Sequence, residues 1–200
     1  KGLANITIPS DNFILPAINS LLVALIATLI NLIVSFSLCL LIVDEKQKSL
    51  RTFFEVGSFS IICISPLVFG TALFLLLFEY IDISANALLL TGVTNGVLMI
   101  PISMAILLPG FKRLKERYGK LINILGIPGT SELVKFYVPL LKKNIKFSCA
   151  LVFALSIGDL GIIVLFSGTD IGTLPMYLYR LIGSYRMDEA YFVAMILLLM

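Results

Sequence analysis

The sequence contains no histidine. This absence removes the side chain that proteins use most often as a general base and as a metal ligand. Charged residues are also scarce, at 14% of 200 residues, against about 25% in ordinary soluble domains. The three cysteines (Cys39, Cys63 and Cys149) lie in or beside apolar runs, which predicts buried reduced thiols rather than a disulfide or a metal cluster. We therefore expect no metal, no cofactor and no catalytic site.

Apolar residues dominate what remains, at 59% of the chain with a mean hydropathy of +1.05. Soluble domains contain about 45–50% apolar residues. The few charges are segregated, because long windows carry none and short windows carry almost all of them. This pattern predicts membrane-spanning helices joined by polar loops. The net charge of +3 is explained by membrane topology, and no nucleic-acid partner is expected.

Five apolar segments predict five spans of an all-α, polytopic membrane helical bundle. The segments are 21–43, 56–78, 87–108, 147–166 and 190–200. Pro66 inside the second segment predicts a kink in that helix. The last segment has 11 residues, whereas a spanning helix needs about 20. Because the chain also begins with Lys1 rather than methionine, we expect an excerpt of a longer protein, cut at both ends.

The basic residues are distributed unevenly between the two sides of the predicted bundle. Three lie in 44–52 and nine in 109–146, against one in 1–20, none in 79–86 and two in 167–189. Lysine and arginine accumulate in loops on the cytoplasmic side of a membrane. The sequence therefore places the loops 44–52 and 109–146 in the cytoplasm.

The last external connection contains a run, 174–185, that mixes apolar residues with three tyrosines. Amphipathic aromatic rings favour the headgroup level of a bilayer. The run predicts either an interfacial helix that anchors the span ends or a docking surface or gate for an external partner.

The cytoplasmic loop 109–146 has a helical pattern of its own. Apolar residues recur at helical intervals between Phe111 and Leu125, which predicts an amphipathic helix. Gly126 follows where this helix would stop, and Thr130 or Ser131 is placed to cap a second short helix that reaches Val138 and is ended by Pro139. From the residues alone, this module either enters a groove of a partner or lies on the membrane surface.

The end of this loop resembles the cytoplasmic loop of ATP-binding-cassette importer permeases. In that family a glycine is followed by apolar residues at the tenth and twelfth positions and by proline at the thirteenth, which are here Gly126, Phe136, Val138 and Pro139. The Glu-Ala-Ala triplet that usually precedes the glycine is replaced by Lys-Leu-Ile at 120–122. The rest of the chain therefore has to support the resemblance.

Further matches extend the resemblance over roughly residues 16–200. Asn19-Ser20-Leu21 is similar to the start of the permease core, and residues 156–186 closely resemble the second half of thiamine-importer permeases. The run 66–70 and Asn95, placed before Pro101, are also similar to that subgroup. In the subgroup, two homologous permease halves are fused in one chain.

The resemblance implies a MetI-like ABC importer transmembrane domain whose loop carries a coupling helix. The implied partners are a cytoplasmic ATP-binding-cassette ATPase dimer, a periplasmic substrate-binding protein, a second permease half and the lipid bilayer. Gly126 would permit the tight turn, Phe136 and Val138 would pack the loop against its own spans, and Pro139 would set the exit angle. The sequence contains no Gly-x-x-x-x-Gly-Lys-Ser/Thr phosphate loop, in agreement with a separate ATPase chain.

Thiamine or its phosphates are the cargo that the resemblance implies. Ferric iron, polyamines and sulfate remain alternatives within the family, because the binding protein supplies most of the selectivity. An ion-driven secondary transporter is a less favoured class, and one intramembrane aspartate does not exclude it. An integral-membrane enzyme is disfavoured by the lack of histidine and of a second deep carboxylate.

Asp159 is the only ionisable residue deep within a predicted span. A carboxylate at the centre of a bilayer costs about 2.5–3.5 kcal/mol, so we expect it to face protein or water. Gly158 and Gly161 beside it would allow close approach of another helix. Asp159 either accepts hydrogen bonds from neighbours such as Asn95 or offers negative potential to a cationic substrate. Asn95 and Asn31 have the same two interpretations, with hydrogen bonding between helices favoured.

Overall fold

The computed structural model describes residues 13–45, 47–125, 137–166 and 172–199, and within these ranges every regular element is helical. A 3₁₀ turn, Ile61–Cys63, directly follows the second helix. The prediction of an all-α protein is confirmed for these residues. The α-helices in chain order are α1 (Ile14–Asp44), α2 (Lys48–Ser60), α3 (Pro66–Leu77), α4 (Ala87–Leu98), α5 (Ile100–Leu125), α6 (Val138–Ile157), α7 (Gly161–Phe166), α8 (Leu174–Gly183) and α9 (Met187–Leu199).

Within the described residues, α1 alone is long and apolar enough to cross a membrane as a single helix. Two interrupted pairs also qualify if each counts as one span, namely α2 with α3, and α4 with the Ile100–Gly119 part of α5. Large apolar side chains such as Ile33, which is 65% exposed on α1, suit contact with lipid. These features are those of a membrane helical bundle, and the five-span arrangement stays a prediction.

Prolines mark the beginnings of helices more often than the sequence patterns suggested. The second predicted span is interrupted at residues 64–65, and Pro66 is the first residue of α3 rather than a kink inside a helix. Pro139 is the second residue of α6, so the prediction that it ends a helical pattern is wrong. Proline is tolerated in a first turn because the N–H that it lacks would have no partner there.

Helix α5 crosses the boundary predicted between the third span and the cytoplasmic loop. It carries Pro109 in its interior and continues to Leu125, so the helix predicted from Phe111 to Leu125 is confirmed as its second half. The turn at Gly126 and the short helix predicted after it lie outside the described residues.

The chain forms two compact units. The first unit comprises Lys1–Ala27, Ser65–Asn95 and Phe153–Met200, and the second comprises Thr28–Ile64 and Gly96–Val152. In the second unit, a fully buried Phe111 lies at the centre of an apolar cluster. Its ring centroid is 5.1 Å from that of Phe36 and 5.0 Å from that of Tyr137.

Two ion pairs connect α1 and α2 to α5 in the second unit. The Lys112 Nζ lies 2.7 Å from a carboxylate oxygen of Glu55 on α2. The Lys115 Nζ lies 2.5 Å from a carboxylate oxygen of Asp44 at the end of α1. All four side chains are at least partly exposed, so these pairs contribute little free energy individually. They lie on the side of α5 that faces α1 and α2.

In the first unit, α8 packs against α9. Leu174 and Leu181 of α8 form a buried cluster with Ala190 and Val193 of α9. The helix predicted over 174–185 is thereby confirmed as α8, and whether it anchors the spans or binds a partner stays a prediction. Near the start of α1, the Ser20 hydroxyl oxygen accepts a hydrogen bond of 2.8 Å from the Leu174 N–H.

The three described cysteines are free, but they are not all buried. Cys39 is buried and its thiol lies 3.5 Å from the Met104 sulfur. Cys149 is partly buried, and Cys63 is exposed. The prediction of burial is confirmed for Cys39 and wrong for Cys63.

Gly92 on α4 marks the tightest contact between helices of the first unit. A Cβ there would lie 2.7 Å from Cγ2 of Ile26 and 3.2 Å from the carbonyl oxygen of Val23. We therefore expect Gly92→Ala to lower the free energy of unfolding by about 1–3 kcal/mol through overpacking. Thermal unfolding of the detergent-solubilised protein would measure the change.

Gly57 on α2 provides the matched control for this substitution. A Cβ there would meet no atom within 4 Å, and alanine has the better helix propensity by about 1 kcal/mol. Gly57→Ala should leave stability unchanged or raise it slightly. Equal stability losses in the two variants would contradict close packing at Gly92.

Candidate functional site

The predicted span 147–166 is interrupted at the position of its one charged residue. Helix α6 ends at Ile157 and α7 begins at Gly161, so Asp159 lies between two helices. Its backbone N–H still donates a hydrogen bond of 3.4 Å to the Ser156 carbonyl. An interruption leaves backbone groups without partners, and within a membrane these must be satisfied by protein or by water in a cavity.

The Asp159 carboxyl group uses its two oxygens differently. Oδ1 accepts a hydrogen bond of 3.1 Å from the Gly161 N–H and so satisfies a free donor at the beginning of α7. Oδ2 is buried and has no hydrogen-bond partner among the residues that the structure describes. Because a buried unpaired acceptor is costly, this oxygen favours the approach of a further donor or cation.

Asn95 of α4 connects this carboxyl group to the end of α6. Its side chain is 1% exposed, and its Nδ2 donates a hydrogen bond of 3.2 Å to the Ser156 hydroxyl. The same amide also faces the Asp159 carboxyl group. We call Asn95, Ser156 and Asp159 the polar centre, and all three lie in the first unit.

A second buried polar cluster lies in the second unit. Asn31 of α1 donates through Nδ2 a hydrogen bond of 2.9 Å to the Gly96 carbonyl, and its Oδ1 accepts one from the Ser103 hydroxyl. The Ser148 hydroxyl in turn donates to the Ser103 hydroxyl over 2.8 Å. We call Asn31, Ser103 and Ser148 the serine–asparagine chain. The favoured interpretation of Asn31, hydrogen bonding between helices, is confirmed.

The serine–asparagine chain satisfies a helix end. Gly96 lies in the last turn of α4, which ends at Leu98, and the carbonyls of a last turn have no donor within their own helix. Pro101, at the beginning of α5, lacks the N–H that a continuing helix would give to the neighbouring Val97 carbonyl. Asn31 therefore supplies a side-chain donor to one carbonyl of the helix end that this proline interrupts.

No protein-family model matches the chain. The thiamine transport system permease protein ThiP of Escherichia coli (strain K12) is 35% identical to it over 156 residues, 78% of this chain and 29% of that relative. ThiP of Brucella abortus (strain 2308) is 33% identical over 168 residues, 83% of this chain and 31% of the relative. In sequence, the chain is therefore similar to a segment of the ThiP permeases, and we call it the ThiP-like segment.

A more distant match agrees with this assignment. ThiP of Haemophilus influenzae is 32% identical over 140 residues, which are 70% of this chain and 26% of the relative. The chain therefore spans less than a third of the length of these ThiP proteins. The polar centre and the serine–asparagine chain belong to this ThiP-like segment.

The glycines beside Asp159 do not make the close contacts within the ThiP-like segment that their sequence position suggested. The atom nearest to a Cβ at Gly158 would be 4.0 Å away, and a Cβ at Gly161 would lie 3.8 Å from Cδ2 of Leu67. These are ordinary contacts. The tight positions of the first unit are instead Gly70 and Gly92, where a Cβ would meet side-chain carbons at 2.8 and 2.7 Å.

Two of the four predicted coupling residues can be located in the ThiP-like segment. Val138 and Pro139 form the first turn of α6. Val138 is 43% exposed and borders a groove of about 370 Å³ with Leu32 and Phe36 of α1. Gly126 and Phe136 lie outside the described residues, so the coupling role of the four residues stays a prediction.

Sequence patterns did not single out the serines of either cluster. Ser103 and Ser148 are buried, but a serine in an apolar helix commonly bonds its own backbone. No local signal marks these two serines, because their partners Asn31 and Ser103 lie 72 and 45 residues away in the chain. Among the described residues, no group of three or more metal-binding side chains occurs.

Proposed function

We propose that the chain is the permease segment of an ATP-driven importer that carries thiamine or its phosphates across the inner membrane. The alignment of 156 residues with ThiP of Escherichia coli carries this proposal. The segment contributes the pathway and no catalytic residues. ATP hydrolysis belongs to a separate cytoplasmic ATPase dimer, a periplasmic binding protein delivers the cargo, and a second permease half completes the pathway.

In this proposal the segment is a MetI-like transmembrane domain with five spans. The loops 44–52 and 109–146 face the cytoplasm, because they hold most of the basic residues. The connections 79–86 and 167–189 then face the periplasm. The ion pairs between Lys112 and Glu55 and between Lys115 and Asp44 fall at the cytoplasmic side of this arrangement, where charged groups are hydrated.

The segment from Gly126 to Pro139 is the proposed coupling element. Closure of the ATPase dimer on ATP would displace it, and α6 begins within it at Val138. Helix α6 runs without interruption to Ile157, and Asp159 follows directly. A movement of the coupling segment would therefore reach the polar centre along one helix.

The polar centre has a chemistry that suits a cationic cargo. Thiamine carries a permanent positive charge on its thiazolium ring. Oδ1 of Asp159 holds the beginning of α7, whereas Oδ2 is buried and keeps a free acceptor. When switching of the transporter opens this region, Oδ2 would present negative charge to the passing ring. In the absence of cargo, the neutral Asn95 amide beside this carboxyl group would stabilise it by hydrogen bonding.

Reconstitution tests the proposed function directly. The full permease, its ATPase and its binding protein are placed in proteoliposomes, and uptake of radiolabelled thiamine is measured with ATP. We expect uptake that requires both ATP and the ATPase, and none with an ATPase variant unable to hydrolyse ATP. Uptake driven by an ion gradient without the ATPase would contradict the importer class. Stimulation of ATP hydrolysis by ferric iron, a polyamine or sulfate, and not by thiamine, would contradict the cargo.

A further inference from the structure

A cavity of about 330 Å³ lies in the first unit, apart from the polar centre. It is formed by the C-terminal end of α3, the connection 78–86 and the C-terminal end of α7. Its volume is near the lower limit of small-molecule sites, about 300–1,000 Å³, so it suits one ring system. Its principal lining side chains are Phe74, Phe78, Phe166, Ile83, Asp82 and Ser84.

Aromatic rings form much of the wall of this cavity. Phe74 and Phe78 are one helical turn apart, and their ring centroids are 5.7 Å from each other with an angle of 30° between the planes. Phe166, which is 2% exposed, supplies a buried third ring. The face of an aromatic ring carries negative potential and attracts a cation within about 6 Å. The cavity therefore favours a flat, positively charged group.

Asp82 adds a formal negative charge to the same cavity. The Ser84 hydroxyl donates a hydrogen bond of 2.8 Å to Oδ1, and the Ala85 N–H donates one of 3.3 Å. These bonds, first that of Ser84, hold the pKa of the exposed Asp82 carboxyl group below its usual range. The carboxylate is thus ionised at neutral pH. The Asn86 amide also donates to the Asp82 carbonyl over 2.9 Å, which stabilises the turn.

We infer that this cavity is a binding site for a heteroaromatic cation, through which the cargo passes before it reaches the polar centre. Helix α7 connects the two places, because Phe166 is its last residue and Asp159 lies just before its first. At about 1.5 Å per residue, its six residues span about 9 Å. The cation would then interact first with the Asp82 carboxylate near the end of α7 and next with the Asp159 carboxylate at its beginning.

This inference rests on the proposed function in one respect, the passage of a cation from the periplasm. The binding chemistry is independent of transport. The amine headgroup of a lipid offers the same positive charge as a thiazolium ring, although it lacks the flat ring. The experiment therefore has to separate a dissolved cation from a lipid headgroup.

Binding is measured on the full transporter in nanodiscs of phosphatidylglycerol, which has no amine headgroup, and binding of each probe to empty nanodiscs of the same anionic lipid is subtracted. N-methylthiazolium and uncharged thiazole are compared by ligand-observed NMR titration. We expect the cation to bind at least about tenfold more tightly than the neutral ring, because only the cation gains the cation–π and carboxylate interactions. Equal affinities of the two probes would overturn the inference.

Asp82→Asn tests the carboxylate with little change in the turn, because asparagine keeps an acceptor for Ser84 and Ala85. We expect it to weaken N-methylthiazolium binding about tenfold, the effect of about 1.4 kcal/mol. Asp188→Asn, at an exposed aspartate in the first turn of α9, is the matched control and should leave binding unchanged. Equal effects of both variants would show a general surface potential and overturn the site.

Phe78→Leu tests the aromatic wall with retention of apolar bulk. We expect binding of the cation to weaken about threefold to tenfold, and Phe53→Leu, at a phenylalanine that is 70% exposed on α2, to have no effect. Unchanged binding in Phe78→Leu would overturn the role of the rings.

Two further results separate the remaining alternatives. Loss of N-methylthiazolium binding when phosphatidylethanolamine is added to the nanodiscs would identify a lipid headgroup as the occupant and overturn the passage of cargo. A transporter that imports another cargo, but binds N-methylthiazolium in a manner that depends on Asp82, would refute the proposed function and still support the cation site.

Discussion

Asp159→Asn is expected to lower thiamine uptake at least about tenfold and to leave the amount of assembled transporter nearly unchanged. Asparagine has almost the same volume and keeps an acceptor for the Gly161 N–H, which Asp159 Oδ1 now satisfies at 3.1 Å. It removes the negative charge from the unpaired Oδ2. At an effective dielectric constant near 20, a pair of charges about 4 Å apart is worth about 4 kcal/mol, and about 1.4 kcal/mol already changes a rate tenfold.

Uptake in proteoliposomes, normalised to the amount of intact complex after gel filtration, is the measurement. Asp188→Asn removes an exposed carboxylate from α9 and serves as the control, with uptake close to that of the unchanged protein. Loss of the assembled complex in Asp159→Asn would contradict this expectation and show that the carboxylate is needed to hold the helix break. Normal uptake in this variant would exclude a pathway role.

The position of most helices was predictable from apolar segments, whereas their ends depended on prolines. Pro66 and Pro139 each begin a helix, but Pro109 lies inside α5. The energetic effect of proline differs between these cases, because only an interior proline removes a hydrogen bond that the helix would otherwise form. The sequence does not distinguish the cases when apolar residues flank the proline on both sides.

Asp159 was recognisable from the sequence because a single charge in an apolar segment is conspicuous. Of its surroundings, Asn95 was named as a neighbour from the sequence, whereas Ser156, which bonds to Asn95, was not. Asn95 and Ser156 are 61 residues apart in the chain, and Asn31 and Ser103 are 72 residues apart. Their pairing depends on which faces of the helices meet. The packing between apolar helices determines which faces meet, and local sequence patterns carry little information about this packing.

The two buried polar clusters have a common physical origin. Each lies where a helix stops within an apolar region, the serine–asparagine chain beside the end of α4 and the polar centre beside the end of α6. A helix end exposes backbone groups that lipid cannot satisfy, so each end requires polar side chains nearby. An asparagine or aspartate in an apolar segment, together with proline or glycine, therefore indicates an interrupted helix.

Asn31→Leu is expected to lower the free energy of unfolding by about 2–4 kcal/mol. Leucine cannot donate to the Gly96 carbonyl or accept from the Ser103 hydroxyl, so both groups lose the partner that Asn31 provides. Each buried polar group without a partner costs about 1–3 kcal/mol, although hydrogen bonds between helices in membranes average nearer 0.6 kcal/mol. Thermal unfolding of the detergent-solubilised transporter would measure the loss.

Ser37→Ala is the control on the same helix. Ser37 is exposed, and its hydroxyl donates to the Ile33 carbonyl of its own helix, so this variant should change stability by less than about 0.5 kcal/mol. The double variant Asn31→Leu with Ser103→Ala should lose less stability than the two single variants together, because each single variant already loses the hydrogen bond between Asn31 and Ser103, which can be lost only once. If the stability loss of the double variant equals the sum of the two single losses, the two side chains act independently. In that case Pro101, and not the hydrogen bonds of Asn31, determines that α4 ends at Leu98.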